Sequence, residues 1–156
     1  MKLSLNNINK SFSSLEILRN VSFDFEIGHI YIIKGKNGAG KSTLLNILSG
    51  IDSKYSGELS IDNQVITSKN IISYSETYIS YLTQDSIVFD DISCLNNILL
   101  PYSSKNKEKA ILLLKEFELG NCIDENASNL SYGERQRLAF ARSLYSIKPI
   151  ILLDES

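Results

Sequence analysis

Gly35-Lys36-Asn37-Gly38-Ala39-Gly40-Lys41-Ser42, followed by Thr43, carries the most specific pattern in the chain. It has the form G-x-x-x-x-G-K-[ST] of a phosphate-binding loop, also called Walker A. Gly35, Gly38 and Gly40 give the backbone conformations closed to other residues and let it approach a ligand closely. The loop N–H groups then form an anion nest, and the helix expected to start near Lys41 adds its positive end. Lys41 supplies a mobile charge for β- and γ-phosphates, and the Ser42 hydroxyl is placed to ligate Mg²⁺. The pattern arises by chance in roughly one chain of this length in a few hundred.

The flanks agree with this reading. Ile30-Tyr31-Ile32-Ile33 is a continuous apolar run, expected as a strand buried on both faces. Leu44, Leu45, Ile47 and Leu48 continue a helix that Gly50 stops. Upstream, Leu3, Leu5 and Ile8, then Val21, Phe23, Phe25 and Ile27, alternate as strands do. Downstream, residues 57–61 alternate into the turn pair Asp62-Asn63, with a hairpin strand through Val65 and Ile66. Residues 78–82 are β-rich, and helices are expected over 93–100, 106–118 and 131–146. Ile150-Ile151-Leu152-Leu153 reads as a buried strand (Walker B) ending in Asp154-Glu155. Such an acidic strand end can hold Mg²⁺ through Asp154, while Glu155 can activate a water; by itself it is also an ordinary strand terminus.

Composition excludes several classes. The chain has 156 residues, 43% of them hydrophobic, so disorder of the whole chain is excluded. Lys and Arg number 16 against 18 Asp and Glu, so there is no basic excess for a nucleic-acid backbone, and no nucleic-acid partner is expected. Cys94, Cys122 and the single His29 make no zinc pattern, and the cysteines read as reduced thiols. No stretch reaches the ~20 apolar residues of a membrane span, and the N-terminus lacks a secretory signal. A cytoplasmic location is expected.

Leu130-Ser131-Tyr132-Gly133-Glu134 opens the last helix as a capping box, with Ser131 at the N-cap and Glu134 three residues on. A capped helix start can also face an anion. With the phosphate loop before it and Asp154-Glu155 after it, this segment resembles the Leu-Ser-Gly-Gly-Gln signature of the ABC-type ATPases. The resemblance runs from Phe12 to Glu155. It implies an α/β fold: a P-loop NTPase core with an N-terminal antiparallel β subdomain and an inserted helical subdomain. One incomplete domain, 1–156, is expected, with a β-rich part (1–83) carrying the phosphate loop, a helical part (84–147) and the Walker B strand (148–156).

The resemblance also implies the site. ATP and Mg²⁺ are its cofactors. Phe12 is similar to the aromatic that stacks on adenine, although its position equally suits an aromatic at the edge of the N-terminal sheet. Gly35, Asn37, Gly38, Ala39, Gly40, Lys41, Ser42 and Thr43 bind phosphate. Ser42, Gln84 and Asp154 hold the metal, Gln84 and Glu155 serve the attacking water, and Ser131 and Gly133 close on the ATP of a second copy. Tyr132 and Glu134 depart from the family's Gly and Gln. The partners implied are a membrane-embedded transporter subunit and a homo- or heterodimer of such domains, peripheral on the inner face of the cell membrane. Ile87, Val88 and Phe89 are groove candidates for the membrane partner, or ordinary packing. Asn97-Ile98-Leu99-Leu100-Pro101 resembles exporters of lipoproteins and antimicrobial peptides. The alternatives are a soluble ABC ATPase acting on ribosomes or DNA, and a non-hydrolytic relic. The stretch from Gln84 to Ser131 is too short for the coiled-coil insertions of the DNA-repair types. The chain ends before the family's next aspartate loop and histidine, which suggests truncation and poor hydrolysis.

Overall fold

The computed structural model describes residues 1–83, 88–100, 106–146 and 148–154. Two compact units divide the chain, 1–79 and 80–156.

The first unit is built on an antiparallel sheet. β1 (Lys2–Phe12) lies between β2 (Leu15–Glu26) and β3 (Ser56–Ile61), and the short β4 (Gln64–Val65) extends β3. Asp62 and Asn63 make the β3–β4 turn with both φ angles positive, at 46° and 66°, a conformation that Asn and Asp tolerate. The alternation of β1 breaks at Asn6-Asn7, where the register with both neighbours shifts. Asn7 has φ 50°. This bulge resets the phase, so that Leu3 and Leu5 before it and Ile8 and Lys10 after it are all buried. The bulge is accommodated only because residue 57 is glycine. A Cβ there would lie 2.4 Å from the Asn7 carbonyl oxygen, and its φ is +99°.

α1 (Lys41–Ser49) packs Leu45, Ile47 and Leu48 inward and ends at Gly50, whose N–H donates to the Ile47 carbonyl. α2 (Ile71–Tyr78) has no counterpart in the sequence reading. Its Ile-, Ser- and Tyr-rich segment has weak helix propensity. Burial decides it: Tyr74 is 3% exposed and its hydroxyl donates to the Leu48 carbonyl at 2.6 Å.

One expectation fails here. Residues 30–33 form no strand, and Ile30 and Ile32 are 94% and 74% exposed. A strand exists only when a neighbour takes its backbone groups, and among the described residues no strand pairs with this run. Instead the Tyr31 hydroxyl accepts from the Glu26 N–H, and the Tyr31 ring meets Phe23 and Phe25 edge-on.

In the second unit, β5 (Ile79–Leu82) pairs with β6 (Ile150–Leu153). β6 is the expected strand but is buried on one face only: Leu152 is buried, while Ile151 and Leu153 are each 43% exposed. α3 (Cys94–Leu99), α4 (Lys107–Glu116) and α5 (Tyr132–Tyr145) enclose a core that includes Ile98, Leu114, Leu119, Leu138 and Ala141. The fully buried Asn97 accepts from the Phe89 N–H and donates to the carbonyls of Phe89, Ile92 and Ser93. It shapes the loop before α3 from inside. Among the described residues, no helix is long and apolar enough to cross a membrane.

Candidate functional site

The phosphate loop lies exposed in the first unit, between the irregular run ending at Ile33 and α1. Gly38 and Gly40 have φ of +79° and +87°. A Cβ on Gly40 would lie 2.8 Å from Ile17 Cγ2 and 2.9 Å from Leu18 Cδ2, so the loop rests directly on β2. The Ala39 N–H donates to the Lys36 carbonyl, and Lys41 Nζ donates to the carbonyls of Gly35 and Lys36, each at 3.1 Å. The lysine thus folds over its own loop.

The starts of α1 and α2 both lack a side-chain cap, unlike those of α3, α4 and α5, and only α1 is preceded by a glycine loop with Lys41 folded over it. α3, α4 and α5 are capped by the side chains of Ser93, Asn106 and Ser131. α1 has no side-chain cap and no acidic residue in its first turn. Its first N–H groups have no intrahelical acceptor by helix geometry. An exposed loop with uncapped N–H donors, an ammonium and no acidic residue in the first helical turn fits a polyphosphate, and the exposed Ser42 hydroxyl fits the metal that accompanies one.

Phe12 ends β1 and is 52% exposed. Lys10 Nζ stands 4.8 Å from its ring centroid. In the second unit, the Asp154 N–H donates to the Leu82 carbonyl. The Tyr81 hydroxyl is pushed up to about 12 by burial and by the charge and hydrogen bond of Asp154. Ser131 and Glu134 form the expected capping box, with Ser131 N and Oγ 2.8 and 2.6 Å from Glu134 Oε2. The Ser131 hydroxyl, and then its N–H, hold the Glu134 carboxyl below its usual range. Glu134 therefore stands as a fixed carboxylate on this helix start, where the family's Gln would be neutral. Tyr132 is 75% exposed and accepts from Gln136 Nε2, so its ring lies along the flank of α5. A Cβ on Gly133 would meet nothing nearer than 3.9 Å. Gln84, Ile87, Pro101 and Glu155 lie outside the described residues.

The sequence profile of the ABC transporter family matches residues 18–156. The chain belongs to that family. Among curated relatives of this ABC domain, the lipoprotein-releasing system ATP-binding protein LolD of Treponema denticola is 37% identical, over 97% of this chain and 73% of the relative. The ribose import ATP-binding protein RbsA of Lactococcus lactis subsp. cremoris is 32% identical, over 99% of this chain and 34% of the relative. The chain thus spans about a third of the ribose importers that it matches. Among solved structures, the ATP-binding cassette MJ0796, a dimer in a post-hydrolysis state with ADP and Pi, superposes with a TM-score of 0.87. It is 29% identical, over 98% of this chain and 73% of that one. The fold is the α/β P-loop fold of these cassettes.

Two residues of interest escaped the sequence reading. Lys10 carried only a partial signal: it alternates with Ile8, but the bulge that brings it to the same face as Leu3 and Leu5 is seen only in the structure. Tyr81 carried none, since its link to Asp154 joins residues far apart in sequence.

Proposed function

We propose that this ABC domain binds Mg·ATP at its phosphate loop and that hydrolysis drives a membrane-embedded transporter subunit. The observation that carries the reading is the loop before α1, whose Gly38 and Gly40 stand at positive φ and over which Lys41 folds, ahead of a helix start without a side-chain cap. An ammonium donates three hydrogen bonds. Lys41 spends two on the carbonyls of Gly35 and Lys36, so it is oriented while one proton remains for a phosphate oxygen. The backbone of Gly35, Asn37, Gly38, Ala39 and Gly40, with Thr43, surrounds the remaining phosphate oxygens. Phe12 offers an exposed ring to the base. Ser42, Gln84 and Asp154 would hold Mg²⁺, which when bound draws charge from the β- and γ-phosphate oxygens. Glu155 and Gln84 position and deprotonate the attacking water. In a head-to-tail pair, Ser131 and Gly133 of one copy face the phosphate loop of the other. The dimeric cassette with ADP and Pi supports the pairing of two such domains.

The transporter is of the lipoprotein-release kind in this reading. The 37% identity over 73% of LolD supports it, as does the Asn97–Pro101 segment. Asn97 by itself is accounted for by its buried hydrogen bonds. The ribose-import relatives support the opposite direction of transport. Purification from native membranes separates the two, since the membrane subunit recovered with this chain belongs either to a lipoprotein-releasing or to a sugar-import system.

The binding test is titration with Mg·ATP. Lys41→Ala should weaken binding at least tenfold, equal to about 1.4 kcal/mol, with the circular dichroism spectrum unchanged. Equal affinity in the two proteins would overturn the reading.

A further inference from the structure

Lys10 is a charge in an apolar place. It lies on the inner face of β1 and is 5% exposed. Buried ammonium groups are retained only with partners. Lys10 has three: Asp52 Oδ2 at 2.6 Å, the Lys54 carbonyl at 2.7 Å and the face of the Phe12 ring. Asp52 is itself held, since its N–H donates to the Asn46 carbonyl and its Oδ1 accepts from the Lys54 N–H. The ammonium therefore ties the end of β1 to the turn that follows α1.

The same residue is registered against the phosphate loop. Lys10 pairs with Leu18 across β1 and β2, and Leu18 is one of the two side chains on which Gly40 rests. Phe12 is two residues further along the same strand and on the same side, about 7 Å away. One face of its ring is taken by Lys10, while the side chain remains half exposed. A ring clamped on one face is already ordered before a ligand stacks on the other.

We propose that Lys10 is a positioning residue for the nucleotide base, clamping Phe12 from one side so that the opposite face stays presented to a purine. This rests on Phe12 being the base platform. Lys10 touches no phosphate in this arrangement, so its effect is confined to ligands that carry a base.

The test compares Mg·ATP with Mg·tripolyphosphate, which lacks the base, by titration calorimetry on the full chain. Lys10→Met keeps the length of the side chain and removes the charge. It should weaken ATP about three- to tenfold and leave tripolyphosphate unchanged, and Phe12→Ala should do the same more strongly. If Lys10→Met weakens both ligands equally, or neither, the proposal is overturned. If Phe12→Ala leaves ATP unchanged, the base-platform reading fails and the role of Lys10 fails with it. If Phe12→Ala weakens ATP while Lys10→Met does not, only the role of Lys10 fails. Lys10→Met alone takes from Asp52 its ammonium partner, so the double variant Lys10→Met/Asp52→Asn, which removes both charges, is measured in parallel and read in the same way.

Discussion

Replacing Gly57 with alanine tests whether the bulge in β1 depends on the missing side chain. The glycine has φ +99°, and backbone on that side costs a residue with a Cβ about 1–2 kcal/mol. The new Cβ would lie 2.4 Å from the Asn7 carbonyl oxygen and 2.6 Å from that of Asn6. Both are backbone atoms, so relief requires moving the bulge, at the ~1–3 kcal/mol typical of overpacking. The sum is about 2–5 kcal/mol. With a urea slope of about 2 kcal/mol per molar, the unfolding midpoint falls by roughly 1–2.5 M. Gly38→Ala is the control: its φ is +79°, but nothing lies within 4 Å of the added carbon. It should show the backbone cost alone, roughly 0.5–1 M on the same slope. Urea denaturation followed by circular dichroism reads both. If Gly57→Ala moves the midpoint no further than Gly38→Ala, the contact with Asn6 and Asn7 is not what shapes the bulge.

Three further outcomes are expected. Asn97→Ala strands the Phe89 N–H and the carbonyls of Phe89, Ile92 and Ser93; it should cost about 2–4 kcal/mol at unsatisfied-group magnitudes, read as a lower midpoint in the same melts. Burial raises the Asp52 carboxyl, but the Lys10 ammonium and the Lys54 N–H more than offset this, and the group titrates below its ordinary 3.8. A lowered folded value stabilises above the unfolded one, so this contribution is complete above about pH 4 and is lost as pH falls through the folded value; Asp52→Asn should flatten that acid limb of the stability curve. Burial, with Cys122 and Glu125 nearby, pushes the Cys94 thiol up to about 11; burial raises the Cys122 thiol as well, but Cys122 is only partly covered and reagents can reach it. Iodoacetamide at pH 8 should therefore modify Cys122 well before Cys94, as read by peptide mass spectrometry, and equal rates would contradict the packing of α3.

Features carried by neighbouring residues were legible in the sequence. The glycines around Lys41, the Ser131–Glu134 capping box and the Asp62-Asn63 turn all appear where their residue types place them, because each is closed by groups at most a few positions apart. Features closed by remote groups were not. α2 holds its shape through Tyr74 on Leu48. The run 30–33 has the composition of a buried strand, yet it is exposed and irregular for want of a paired neighbour in the described chain.

The family, the phosphate loop and the order of nearly all the elements follow from glycine spacing, capping residues and apolar periodicity, which act over one or two turns of chain. Tertiary structure alone decided which apolar runs are covered, that Asn97 is a structural residue, and that a lysine stands behind Phe12. Each of these is a meeting of distant segments, and the free energy of burial or of a hydrogen bond belongs to the pair rather than to either residue.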